Sequence, residues 1–365
     1  MNTAALLSAA RACADVVDKR SPVDVMKLTR LVSDGGWLTL SAMDATTQVS
    51  STVPFDGSPP WTCGVDAVGL AAAAKSLPGD EVDVAKAERM RLTLASGSAK
   101  IALPVFPDKD MPAVMPVAHG RLAEVDAEAL RCAIARSAYC IDTSIGAAPR
   151  MSGLLLRSDN GMLAVAGVCS HRIAESRIPF SGGPFVANVP HMGAARMAAL
   201  LGSAETARVG LDGDRFVCVA GDSVISIRTI GGQASPYERV IEGVVIAAVN
   251  VARFNRKEML AAVERAGLMS DHHADRDGFR LALSGGTATV SNSDPLRGDA
   301  STEVPLTHPA TVDVKFILSW RYLAEALGRI ESDEVLMRYD AALMPFLLRA
   351  VDGENQAHII APRDK

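Results

Sequence analysis

An α+β protein made of three consecutive copies of one unit is the fold that this 365-residue sequence predicts. Three observations lead there. Hairpin-like stretches begin at Ser33 (Ser33-Asp34-Gly35-Gly36-Trp37-Leu38), Ser158 (Ser158-Asp159-Asn160-Gly161-Met162-Leu163) and Ser284 (Ser284-Gly285-Gly286-Thr287-Ala288-Thr289), each with turn chemistry between alternating apolar runs. Amphipathic helical stretches over 5–19, 127–140 and 253–267 precede them, and others over 66–76, 190–201 and 318–330 follow. Further strands come after the second helix, such as 91–95 with 101–103 and 216–220 with 224–228. The hairpins start 125 and 126 residues apart, too far for a solenoid repeat and about the size of a domain. The expected units are 1–119, 120–246 and 247–365, joined near His119-Gly120 and Ala247, each with two helices and about eight strands.

Composition supports packed cores of small aliphatic residues. Hydrophobic residues make up 48% of the chain and aromatics only 4%. No run approaches the ~18 apolar residues of a membrane span, and Met1-Asn2-Thr3 opens into an amphipathic pattern without the features of a signal peptide. A soluble, cytoplasmic protein with no membrane partner is expected. The six cysteines, Cys13, Cys63, Cys132, Cys140, Cys169 and Cys218, contain no CxxC pair and read as reduced thiols.

The net charge of −5 argues against a simple polycationic binder of nucleic acid, but not against positive charge confined to one surface. The six helical stretches hold 12 Lys/Arg and 7 Asp/Glu, while the remainder holds 25 and 35. Helices gathered on one surface would attract a polyanion that the strands and loops repel.

The sequence has no phosphate loop, dinucleotide fingerprint, HExxH or GxSxG motif. Asp271-His272-His273-Ala274-Asp275 is the densest group of possible metal ligands, yet no third His or Cys stands at a ligand spacing. A solvated loop is the better reading. Ser170-His171-Arg172 with Asp159 suggests hydrolase parts, but Ser and His side by side on one strand would face opposite ways. No catalytic site, cofactor or metal is expected.

Several segments resemble the beta subunit of bacterial DNA polymerase III, the sliding clamp. Met151-Ser152-Gly153-Leu154-Leu155-Leu156, then Leu163-Ala164-Val165-Ala166 and Val168-Cys169-Ser170-His171-Arg172-Ile173-Ala174, are similar to that family's signature. Leu77-Pro78-Gly79-Asp80, Ser96-Gly97, Tyr237-Glu238-Arg239-Val240-Ile241, Leu318-Ser319-Trp320-Arg321-Tyr322-Leu323 and His358-Ile359-Ile360-Ala361-Pro362 extend the resemblance along the chain. It implies three DNA-clamp domains per chain and a head-to-tail homodimeric ring whose helices line the pore. The implied function is a non-catalytic processivity subunit that encircles duplex DNA without regard to sequence. Implied partners are the replicative polymerase, the clamp loader and other proteins carrying clamp-binding motifs.

By position, the resemblance implies a peptide pocket of Met151, Val168, His171, Arg172, Ile173, Arg239, Val240, Tyr322, Leu343, Pro345, Ile360 and Pro362. It implies a dimer contact of Ile101 and Leu103 with Leu268 and Met269. DNA would be met by Arg20, Lys75, Arg131, Arg136, Arg150 and Arg196, with His191 where relatives tend to carry a basic residue. The terminal strand is expected to stop at Pro362, which has no N–H to donate, leaving Arg363-Asp364-Lys365 as a flap.

The chain departs from the family pattern at Val168-Cys169-Ser170, Ser319, Ala361 and the charged tail. A divergent paralogue that binds clamp-interacting proteins as a regulator or decoy is the alternative reading.

Overall fold

The computed structural model describes residues 1–57, 59–87, 90–111, 113–117, 119–202, 204–270, 279–353 and 355–363. The Asp271–Asp275 ligand group and Asp364-Lys365 lie outside them. The chain forms two compact units, one of residues 1–131 with 180–231 and one of residues 132–179 with 232–365.

All six expected helices form: α1 Thr3–Val16, α2 Ala67–Ser76, α3 Ala127–Ser137, α4 His191–Leu201, α6 Arg256–Gly267 and α7 Trp320–Arg329. Polar caps start three of them. The side chains of Asn2, Asp66 and Asn255 accept from backbone N–H groups of the first turns of α1, α2 and α6, which no intrahelical carbonyl can satisfy. The three hairpins also form, and Asn160-Gly161 turns the second with positive φ at both residues, as a two-residue turn requires. The succession helix, hairpin, helix and further strands occurs three times.

A seventh helix, α5 Tyr237–Ala247, stands where no helix was expected. Its inward residues Tyr237, Ile241 and Val244 are spaced for one helical face, so the signal was present in the sequence.

In the first unit an antiparallel sheet runs in the order Trp61–Asp66, Leu28–Ser33, Trp37–Met43, Thr47–Pro54, Ser223–Arg228, Arg215–Ala220, Thr206–Asp212, Ala123–Asp126. A three-stranded sheet, Asp83–Ala87, Arg91–Ser96 and Ala99–Pro104, lies beside it in sequence, with Ala99–Pro104 at its edge. Leu6, Ala10 and Cys13 of α1 pack with Leu70 of α2 on Leu31, Leu38, Leu40, Leu92 and Leu94. Burial pushes the Cys13 thiol up to about 12, so it behaves as a small apolar group.

In the second unit the strand order begins Gly153–Asp159, Met162–Cys169, Arg172–Pro179, Gln356–Ile360, Phe346–Ala350, Glu334–Tyr339. It continues Asn250–Asn255, Gly298–His308, Thr287–Asp294, Arg280–Ser284, Val314–Ile317. Its interior includes two apolar clusters. One joins Met259 and Val263 of α6 to Leu323 and Leu327 of α7 through Phe316, Tyr339 and Phe346. The other joins α5 to Leu155, Val168, Ile173, Leu347 and Ile359.

Candidate functional site

Strands Met162–Cys169 and Arg172–Pro179 meet with Cys169 opposite Arg172, so Ser170-His171 is a two-residue turn. This corrects the expectation that both residues lie on one strand. Both are exposed, and the turn offers a ring and a hydroxyl to solvent rather than a catalytic pair. The last strand pairs on the other side of the second arm, Arg172 opposite Ile360 and Ile173 opposite Ile359. It is also paired with Phe346–Ala350, so it is an interior strand.

That register fixes Arg172 among aromatic and acidic neighbours. Its side chain is only 14% exposed, it ion-pairs Glu325 of α7, and Nη2 donates to the Tyr139 carbonyl at 3.0 Å. The guanidinium carbon lies 4.3 Å from the centre of the Tyr322 ring and 5.2 Å from that of Tyr139. Nε is buried without a hydrogen-bond partner among the described residues. The exposed His171 ring stands 6.3 Å from Tyr322, tilted by 32°.

Behind Tyr139 lies His358, fully buried, with Nδ1 2.8 Å from the Tyr139 hydroxyl. Burial, then the charges of Arg136 and Arg329, pull its pKa down to about 4, so the ring is neutral at pH 7. Burial foremost raises the Tyr139 phenol, which therefore keeps its proton. The contact is a neutral Tyr–His hydrogen bond that fixes the ring on which Arg172 rests. Gly167 permits this approach, because a Cβ there would stand 2.0 Å from the Ser137 carbonyl oxygen. Tyr139, His358 and Glu325 were absent from the expected site. Their contribution depends on contacts between residues far apart in sequence, which no local signal reveals.

The expected pocket residues separate by burial. Val168 and Ile173 are buried on the α5 cluster, with Met151 partly buried against it. Ile360 is buried in the neighbouring core and cannot itself form a surface. Val240 on α5 and Leu343 are 46% and 63% exposed, and Met344 beside Leu343 is also exposed. Arg239 is exposed beside Val240, and Tyr322, Pro345 and Pro362 are half-buried. These residues comprise buried apolar groups on the α5 cluster, exposed aliphatic groups and a fixed cation beside two aromatic rings. Groups of this kind suit the apolar side chains and backbone carbonyls of a short peptide.

The tail differs from a loose flap at Arg363. Ala361 N donates to the His171 carbonyl at 2.8 Å and Arg363 N to the Ile317 carbonyl at 2.7 Å, with the Arg363 guanidinium 5.7 Å from the Tyr322 ring centre. Pro362 does end the strand, but the backbone continues into contact.

The expected DNA contacts also separate. Arg20, Lys75 and Arg150 are exposed and form no ion pair among the described residues. Arg131 pairs with Glu128 one turn away, and Arg136 with Glu331 at 2.6 Å. Arg196 corrects the expectation. Nε and Nη2 donate to the Asp15 and Val16 carbonyls at 2.9 and 3.0 Å, and Nη1 pairs with Asp44. It therefore caps the C-terminus of α1 instead of facing solvent. His191 is exposed at the start of α4. With the observed boundaries, α1–α4, α6 and α7 hold ten Lys/Arg against five Asp/Glu, while α5 holds one against two.

Ile101 and Leu103 lie on the edge strand Ala99–Pro104 but turn toward their own core, half-buried. Leu268 is 65% exposed just past α6, and Met269 is half-buried.

Residues 1–116 match the family model described as the DNA polymerase III beta subunit, N-terminal domain. The beta sliding clamp of Pseudomonas aeruginosa is 25% identical, the match covering 98% of this chain and 97% of that protein. Along nearly its whole length the chain is similar to the DNA polymerase III beta subunit family. Solved members of this beta-clamp family share the fold throughout. The P. aeruginosa beta subunit superposes with a TM-score of 0.89 at 23% identity, covering 100% of this chain and 99% of that one. The Thermotoga maritima beta subunit does so with a TM-score of 0.90 at 17% identity, covering 100% and 98%.

Proposed function

We propose that this chain is a DNA polymerase III sliding clamp, a non-catalytic bacterial cytoplasmic subunit that encircles duplex DNA and holds the replicative polymerase on it. What carries this reading is similarity to beta sliding clamps along nearly the whole chain. The chain would comprise clamp domains 1–119, 120–246 and 247–365, and two copies joined head to tail would close a ring. Closure would bring the edge strand of Ile101 and Leu103 to Leu268 and Met269 of a second copy, covering an exposed apolar residue and an open strand edge together. The basic helices would face the pore, with Arg20, Lys75 and Arg150 offering free cations to phosphate. A closed ring stays on DNA by topology, so these contacts can be weak.

Polymerase, loader and other clamp-interacting proteins would dock by a short motif in the groove around Arg172. A solved P. aeruginosa relative bound to griselimycin supports ligand binding as a property of the family. Burial of a few apolar side chains at about 25 cal/mol per Å², less ordering costs, suits micromolar affinity. Fluorescence anisotropy with a polymerase-derived clamp-binding peptide tests this part. Removing residues 361–365 should weaken binding at least severalfold with little change in thermal unfolding, because the interior strand Gln356–Ile360 is retained. Equal affinities would place the docking site elsewhere.

A further inference from the structure

A second polar site lies in the second unit, built on a different face of α5. It is a cavity of about 410 Å³, within the range of small-ligand sites, lined by four carboxylates and two guanidiniums. Two of its polar groups are buried and unmatched. Glu175 is 4% exposed, and its Oε1 accepts from Arg177 Nε at 2.7 Å, leaving Oε2 with no hydrogen bond among the described residues. Tyr237 is 2% exposed, and its hydroxyl likewise has no partner there. Burial first, then the charges of Glu175 and Glu238 and the approach of the Glu175 carboxylate itself, raise this phenol; the two side chains stand close, short of a formed hydrogen bond. Unmatched buried polar atoms cost free energy that a bound group recovers.

The charge around these atoms selects the ligand. Arg157 pairs with Glu238 and Arg177 with Glu175, so both guanidiniums are engaged. Asp159 takes only a neutral donor, from the Asn160 amide, and Glu242 has no ion pair among the described residues. The unbalanced charge of the cavity is negative. An anion would be repelled, while a cation with several N–H donors would meet Glu175 Oε2 and the Tyr237 oxygen in charge-assisted bonds. We propose that this cavity is a binding site for an organic cation, a guanidinium or alkylammonium group, with buried Glu175 and Tyr237 as its acceptors and Glu242 supplying charge at the mouth. The group could belong to a protein side chain or to a free polyamine.

Fluorine NMR on the full-length protein labelled with 3-fluorotyrosine tests this, since the chain has four tyrosines and Tyr237→Phe identifies the reporting signal. At constant ionic strength, N-acetylarginine amide stands for a side chain and spermidine for a polyamine; the lower midpoint identifies the source. The Tyr237 signal should shift saturably with at least one of them, but not with N-acetylcitrulline amide, the neutral isostere. Glu175→Gln should abolish the shift, and Glu242→Gln, at an exposed position, should raise the midpoint at least threefold. A stationary Tyr237 signal, an equal response to citrulline, or an unchanged midpoint in Glu242→Gln overturns the proposal. Should Glu175→Gln fail to fold, the Glu242→Gln result decides.

Discussion

Arg196 in the first unit and Arg172 in the second are buried alike, 13% and 14% exposed, and each faces a carboxylate. Their surroundings give them different work. Arg196 directs all three of its nitrogens to Asp15, Val16 and Asp44, so each is engaged within its own unit. Arg172 directs two, keeps Nε without a hydrogen bond among the described residues, and lies against two aromatic rings with an exposed histidine nearby. A buried arginine is thus a structural tie where backbone carbonyls saturate it, and a recognition element where aromatic rings hold it instead. Glu325 is 48% exposed while Asp44 is 18% exposed, so losing the arginine strands a charge only in the first unit.

The largest expected effect tests the tie. Arg196→Ala should destabilise the first unit by about 3 kcal/mol, since it leaves a poorly hydrated carboxylate and two uncapped carbonyls. Urea unfolding at pH 7 measures it, and a change below about 1 kcal/mol would contradict the assignment. Burial raises the Asp44 pKa, but Arg196 and the N–H groups of Thr46 and Thr47 lower it further, and the net shift is down. The stabilisation is therefore present above the ordinary carboxylate range and is lost as pH falls through the native pKa.

The support behind Arg172 should show its own pH dependence. His358 is held to about 4 by burial, against an ordinary value of 6.5. The unfolded chain therefore takes up this proton first as pH falls, and stability declines between 6.5 and 4 by up to ~3 kcal/mol from this group. A His358→Gln variant should lack that part of the decline, while losses from carboxylates remain in both proteins. Parallel profiles in chemical denaturation over this window would remove His358 from the account.

A smaller and more selective change is expected at Arg172 itself. Arg172→Ala should raise the Kd of a clamp-binding peptide about tenfold, or about 1.4 kcal/mol, while lowering stability by only about 1 kcal/mol, because Glu325 can be hydrated. A stability loss as large as that of Arg196→Ala, with affinity unchanged, would erase the distinction between the two arginines.

Local signals made much of the fold legible. The Ser-Asp-Asn-Gly turn at 158–161 forms as expected, and the helices capped by Asn2 and Asn255 form within two or three residues of their expected starts, because both signals depend on neighbours in sequence. Helix α5 is hidden in the sequence because Tyr237-Glu238-Arg239-Val240-Ile241 sits beside an expected join and its buried face is only three residues, Tyr237, Ile241 and Val244. The groove was legible only in part. His171 and Arg172 stand out as a motif, but nothing near them in sequence announces Tyr139 or His358, which arrive through the α3 terminus and the last strand. Arg196 was misread for the same reason. A basic residue on a helix looks solvent-facing until the carbonyls of another helix are placed around it.

The proposed clamp binds DNA by closing around it. Protein loaded on a nicked circular plasmid, then passed through a gel-filtration column at moderate salt, measures this directly. A dimer should remain with the circle and be released when the plasmid is cut once. A Leu268→Ala, Met269→Lys double variant should be monomeric and retained on neither form. Equal release from circular and linear DNA by the intact protein would contradict encirclement.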